Sequence, residues 1–369
     1  MNNFKEVFNR YAWAEVQASI STKTTADVET ALHADHRSLE DFKALLSPAA
    51  IPYLEEMAHI SQQLTQKRFG HTIQLFAPMY LSNECNNICT YCGFSFDHKI
   101  KRKTLSAAEI LQETNEIKRH GFEHILLVTG EANATVHVDY LLQALQILRP
   151  QFSNISIEVQ PLEEEEYKTL HAAGVHSVLV YQETYHPEVY KEYHTKGKKT
   201  NFHYRLHTPD RIGAAGIHKI GLGVLLGLVD WRTDSFFCAL HLDYLQKHYW
   251  QTKYSVSFPR IRPAEGADQA RHPVSDAELV QLICAYRLWN QELEISISTR
   301  ETEKFRDQIL SLGATTLSAG SKTNPGGYSV DPETLEQFEI SDERSPAQVA
   351  AAIGAKGYEA VWKDWDRFY

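Results

Sequence analysis

Apolar positions along this chain change their period once. From Met1 to about Gly70 they recur every three or four residues, as in Leu39, Phe42, Leu45 and Leu46, and Ser38 stands where the N-cap of that helix belongs. After Gly70, short β-rich apolar runs alternate with longer helical stretches, the rhythm of βα units on a parallel sheet. Eight runs are predicted as strands: Leu75–Leu81, Ile125–Thr129, Ile155–Val159, Val178–Tyr181, Ile220–Val224, Tyr254–Phe258, Ile295–Ser298 and Thr316–Ala319. Eight such units predict an α/β fold, a closed (β/α)8 barrel of the TIM type. Ser106 and Ser275 predict N-caps for helices over Ala107–His120 and Asp276–Gln291, and a third helix is expected over Glu301–Leu312, ended by Gly313. The expected organisation is a helical extension over residues 1–70, a barrel over 71–320 and a tail over 321–369. That tail opens on the turn Asn324-Pro325-Gly326-Gly327 and carries Trp362 and Trp365, whose apolar area predicts docking onto the barrel.

Composition narrows the role without naming it. With 43% hydrophobic and 23% charged residues in 369, the chain reads as an ordinary folded protein. The 37 Lys and Arg against 47 Asp and Glu leave a net charge of −10, the wrong sign for a protein built to neutralise phosphates, so no nucleic acid is expected as a partner. The charged start Met1-Asn2-Asn3-Phe4-Lys5-Glu6 lacks the apolar core of a secretory leader. The longest apolar stretch, Ile220 to Val229, is broken by Gly221, Gly223 and Gly227 and falls far short of the roughly 20 residues of a membrane span. The expectation is a cytoplasmic protein with no membrane association.

Chemistry gathers in Cys85-Asn86-Asn87-Ile88-Cys89-Thr90-Tyr91-Cys92-Gly93-Phe94, directly after the first predicted strand. Three of the five cysteines share this loop, which argues for a metal or redox site in a reducing compartment over a disulfide framework. Three soft thiolates on one loop can wrap one centre, and a four-iron cluster with only three protein ligands keeps one iron open. The placement suits this, since loops after barrel strands line the active-site face. A structural zinc site is the alternative, with His98 as the one nearby fourth ligand. Cys238 and Cys284 sit singly in predicted helices and read as core hydrophobes.

The spacing CxxxCxxC, with the aromatic Tyr91 before the last cysteine, resembles the signature of the radical S-adenosylmethionine superfamily. That resemblance implies that Cys85, Cys89 and Cys92 hold a [4Fe-4S] cluster, with S-adenosylmethionine chelating the open iron through its amino and carboxylate groups. It also implies reductive cleavage to methionine and a 5′-deoxyadenosyl radical that takes hydrogen from a substrate. Thr129-Gly130-Glu131-Ala132 resembles the superfamily's "GGE" element, with Glu131 toward the methionine ammonium. Glu158 at the third strand's end joins Tyr91 as an expected cofactor contact, and Gly223 in the glycine-bearing fifth strand resembles the superfamily's element near adenine, with tight barrel packing as the alternative. At the mouth, Arg300 with Ser298 offers a bidentate fork for a substrate carboxylate, and Arg262 is the second choice; each could equally be an inter-loop ion pair. The run His98-Lys99-Ile100-Lys101-Arg102-Lys103 is either a solvated face or a dock for an acidic electron donor such as flavodoxin or ferredoxin.

Within the superfamily, Glu158-Val159-Gln160-Pro161-Leu162, Tyr181-Gln182-Glu183-Thr184-Tyr185 and Ser298-Thr299-Arg300-Glu301 look like the aromatic amino-acid lyases. The tail, from Gln337-Phe338-Glu339-Ile340 to Val361-Trp362-Lys363-Asp364-Trp365-Asp366, resembles the tyrosine-lyase family of thiamine thiazole biosynthesis. This implies cleavage of the Cα–Cβ bond of L-tyrosine to 2-iminoacetate and p-cresol, with hand-over to thiazole synthase. The related hydrogenase-maturation tyrosine lyases carry further cysteines in a C-terminal domain, whereas the last cysteine here is Cys284. Action on another aromatic amino acid, or a non-catalytic zinc-stapled binding protein, are the alternatives.

Overall fold

The computed structural model describes residues 3–331 and 336–363. Its frame is eight parallel strands: β1 (Thr72–Ser82), β2 (His124–Thr129), β3 (Asn154–Glu158), β4 (Ser177–Leu179), β5 (Lys219–Gly223), β6 (Lys253–Ser257), β7 (Glu294–Ile297) and β8 (Thr316–Ser318). Each pairs with its neighbour in chain order, and β8 returns to β1 with Gln74 opposite Thr316 and Phe76 opposite Ser318. The barrel is therefore closed. All eight predicted strands are present, their ends shifted by at most three residues. Their near-continuous apolar runs follow from burial on both faces, inside against the barrel core and outside against the helices.

The first 70 residues form helices at Phe4–Phe8, Trp13–Ser21, Thr25–His33, Leu39–Leu46 and Leu54–Phe69. Ser38 caps its helix as expected, in a reciprocal capping box with Asp41. These helices lie on the outside of the barrel: Phe4 stacks on His241 at 3.7 Å between ring centroids, and Phe42 meets Tyr286 edge-on at 4.8 Å. The helices that receive them, Trp231–His248 and Asp276–Trp289, carry Cys238 and Cys284 fully buried in the core.

Three features differ from the pattern. The helix expected over Glu301–Leu312 runs only from Glu303 to Ile309, because Thr302 takes the N-cap and Glu301 is drawn into ion pairs with Arg260 and Arg262. A two-stranded ribbon pairs Ile88–Cys89 with His194–Lys196, fastening the cysteine loop to the connection after β4. A ninth strand, β9 (Glu359–Val361), adds the tail to the lower half of β1. Trp362 then packs edge-on against Phe122 at 5.1 Å, while Trp365 lies outside the described residues.

After β8, the described residues 320–331 and 336–342 lie along the barrel mouth as a strap, followed by a helix at Pro346–Ala355 before β9. The strap is stitched down by backbone hydrogen bonds from Gly93 to Gln337, Glu339 to Pro263 and Ser341 to Thr299. Its far end is pinned by Glu113, whose buried carboxylate accepts from the backbone N–H groups of Tyr328, Ser329 and Val330 at 2.9, 2.7 and 3.0 Å. Among the described residues, no helix is long and apolar enough to cross a membrane.

Candidate active site

One cavity at the mouth of the barrel is lined by the ends of the strands, the cysteine loop and the strap. Cys85, Cys89 and Cys92 all face it, together with Tyr91, Glu131, Glu158, Arg262, Ser298 and Arg300. Nine of the ten expected site residues thus meet in one place, although they come from five separate strand ends. Gly223 is the exception. A Cβ there would lie 2.2 Å from the Ser257 carbonyl oxygen and 2.9 Å from the Tyr181 ring, so this glycine serves close packing of β5 and does not line the cavity.

The cysteine loop is held from several sides. The Asn86 N–H donates to the Glu131 carbonyl at 3.0 Å, and the Asn87 amide donates to the Glu131 carboxylate at 2.9 Å. Tyr91 donates its hydroxyl to His194 Nε2 at 2.7 Å; His194 Nδ1 lies 2.7 Å from the Tyr190 carbonyl, which fixes the ring tautomer. Burial pushes the Cys85 and Cys89 thiols up, Cys89 strongly, so thiolates there need a compensating cation. This donor set of three free soft sulfurs on one cavity wall fits an iron–sulfur cluster. His98 does not extend it to a zinc site: its Nδ1 turns to the Gly93 carbonyl at 3.2 Å. No group of three His, Cys, Asp or Glu side chains among the described residues is gathered tightly enough for one metal ion.

Next to the sulfurs lies a buried group of four charges. Arg205 donates to Glu131 at 2.8 Å and reaches Glu183 at 3.5 Å, while Lys199 pairs with Glu183 at 2.8 Å and stands 3.9 Å from Glu131. Burial alone would raise both carboxyls, but Arg205 and Lys199 hold Glu131 and Glu183 below the ordinary carboxylate range. Glu183 adopts a left-handed backbone, φ 70°, unusual for a side-chain-bearing residue. The Leu225 N–H bond to its carbonyl at 2.8 Å and its two cationic partners fix that conformation.

Glu158 has a different environment. Burial, reinforced by the charge of Glu183, pushes its carboxyl to about 7. Across the cavity, Arg300 lies 3.3 Å over the ring of Phe338, and no hydrogen bond or ion pair to its guanidinium is found among the described residues. That leaves its fork open toward the cavity. Ser298 lies beside it, its hydroxyl oxygen 3.4 Å from the Arg300 N–H. Arg262 is already engaged: it pairs with Glu301 at 3.0 Å, sharing that carboxylate with Arg260, so the ion-pair reading holds for it.

Several residues in this site carry no sign of a site role in the sequence pattern. Lys199, in a short turn, and Arg205, on the helix Phe202–Leu206, come from the connection between β4 and β5, far from any motif. Tyr80 lies inside the first strand, and Gln337 and Phe338 arrive from the strap. Only Glu183 sits in a strand-end segment whose polar character is visible beforehand.

Comparison with known proteins agrees with this geometry. Residues 79–237 match the Radical SAM superfamily and residues 257–359 the Biotin and Thiamin Synthesis associated domain. The chain is 51% identical over 367 residues to the 2-iminoacetate synthase of Salmonella typhimurium, covering 99% of this chain and 97% of the relative. To that of Escherichia coli it is 52% identical over 369 residues, covering 100% and 98%. The crystal structure of HydG, a maturase of the FeFe-hydrogenase, superimposes with a TM-score of 0.90 at 28% identity, covering 95% of this chain and 80% of that one.

Proposed function

The chain belongs to the 2-iminoacetate synthase family of the radical SAM superfamily, and from that premise we propose that it is a carbon–carbon lyase. It cleaves the Cα–Cβ bond of L-tyrosine to 2-iminoacetate and p-cresol, with 5′-deoxyadenosine and methionine as co-products. The observation that carries this reading is the shared cavity: three free cysteines on one wall and an unengaged arginine on another. When bound, the [4Fe-4S] cluster and S-adenosylmethionine supply a radical able to take hydrogen from the substrate.

The chain's own residues hold and orient the reactants. Cys85, Cys89 and Cys92 are the cluster ligands. Glu131, kept ionised by Arg205 and Lys199, meets the methionine ammonium. Glu158 accepts hydrogen bonds from the cofactor's hydroxyls, and Tyr91, locked by His194, forms the wall beside it. Arg300 takes the tyrosine carboxylate in its fork, with the Ser298 hydroxyl as a second donor. The strap closes the mouth and keeps water from the reacting atoms.

Two partners follow from the chemistry. A one-electron donor of the flavodoxin or ferredoxin type supplies the electron, though not by docking on the run from His98 to Lys103, where Lys101 pairs with Asp331, Lys103 with Glu109 and Arg102 binds backbone carbonyls; thiazole synthase takes the hydrolytically fragile iminoacetate. Free thiols and an oxidisable cluster fit the reducing cytoplasm. The test is anaerobic reconstitution of single variants. Cys85→Ala, Cys89→Ala and Cys92→Ala are expected to abolish 5′-deoxyadenosine formation, whereas Cys238→Ala and Cys284→Ala retain it at a stability cost of about 1 kcal/mol. Turnover surviving loss of a loop cysteine would refute the cluster assignment.

A further inference from the structure

The strap does more than cover the cavity: at Gln337 it reaches a cluster ligand. The side-chain amide nitrogen of Gln337 lies 3.6 Å from Cys92 Sγ, within range of an N–H···S hydrogen bond. Its amide oxygen accepts from the Tyr80 hydroxyl at 2.8 Å. The direction of this chain of bonds follows from the sulfur: a ligand thiolate carries no proton and can only accept, so the Gln337 NH2 faces Cys92 and its amide oxygen takes the Tyr80 O–H. The backbone holds the residue equally firmly, with its N–H on the Thr323 carbonyl at 3.0 Å and its carbonyl accepting from the Gly93 N–H at 3.2 Å. The approach at Gly93 is so close that a Cβ there would stand 2.6 Å from the Gln337 carbonyl oxygen. The next residue, Phe338, carries Arg300 on its ring.

We propose that Gln337 is a positioning residue for Cys92 that raises the reduction potential of the cluster by donating an N–H···S hydrogen bond to the Cys92 ligand. A donor to a ligand sulfur withdraws electron density and stabilises the reduced cluster more than the oxidised one. Electron entry then depends on the strap being in place. This inference rests on the reading that Cys85, Cys89 and Cys92 hold the cluster.

The experiment is an EPR-monitored redox titration of the anaerobically reconstituted full chain, unaltered and as Gln337→Leu, Gln337→Glu and Tyr80→Phe, with iron and sulfide measured on each. The midpoint potential is expected to move to more negative values in Gln337→Leu and further in Gln337→Glu, which replaces a donor by a negative charge. A smaller shift in the same direction is expected for Tyr80→Phe, which frees the amide to rotate. An unchanged midpoint in a Gln337→Leu protein with full iron content overturns the proposal. If that variant does not load, the near-isosteric Gln337→Glu decides on the same criterion. Failure of the underlying reading is distinguishable, because the unaltered chain would then hold no cluster to titrate.

Discussion

Glu158 and Arg300 share one cavity but answer to different parts of the chemistry. A carboxyl pushed to about 7 changes its charge within the working range of the protein. Only its ionised form accepts hydrogen bonds at both oxygens, so S-adenosylmethionine binding is expected to weaken by roughly tenfold as the pH falls from about 8 to about 6. Calorimetric titration at the two pH values checks this, and Glu158→Gln is expected to flatten the dependence. Arg300→Ala is expected to raise the KM for tyrosine by on the order of tenfold to a hundredfold, the loss of a charged hydrogen-bonding pair, while cleavage of S-adenosylmethionine persists. Unchanged tyrosine affinity would remove Arg300 from the site. At this scale the sequence is readable where chemistry is crowded into a few positions, as in Cys85 to Cys92. It is silent on Lys199 and Arg205, and on what Gln337 of the tail contacts, because their partners lie tens or hundreds of positions away.

Among the elements, the eight barrel strands are legible because each is a buried run long enough to contrast with the helices around it. The ribbon of Ile88–Cys89 with His194–Lys196, and the strand Glu359–Val361, are two or three residues long and carry no period. They exist because tertiary contacts leave their backbone groups facing a ready partner. The strap is the same case: its course is set by Glu113, a helix residue more than 200 positions before it. Glu113→Ala leaves three backbone donors without an acceptor, and an unmet buried donor costs about 1–3 kcal/mol. The expected result is a loss of about 2–4 kcal/mol of stability in denaturant unfolding, with faster proteolysis between Gly320 and Asp331. A variant with unaltered proteolysis would show that the strap is held by its other contacts.

For the molecule as a whole, the closed barrel collects residues from distant strand ends into one chamber, places the helical extension on its outside and carries part of the tail over the chamber's mouth. The basic run after the cysteine loop is largely spent within the fold, with Lys101 on Asp331, Lys103 on Glu109 and Arg102 on backbone carbonyls of the loop, so it reads as a structural face more than a dock. What the pattern of residues does not contain is the identity of the substrate, since an open arginine fork and a serine would accept any amino-acid carboxylate. Tyrosine comes from family membership and is decided by its products. The most direct measurement is an anaerobic incubation of the reduced, reconstituted protein with S-adenosylmethionine and either tyrosine or tryptophan, followed by mass spectrometry. Formation of p-cresol and 2-iminoacetate, the latter read as its hydrolysis product, in step with 5′-deoxyadenosine and only with tyrosine, is the predicted result. Deoxyadenosine without p-cresol, or carbon–carbon cleavage of tryptophan in place of tyrosine, would contradict it.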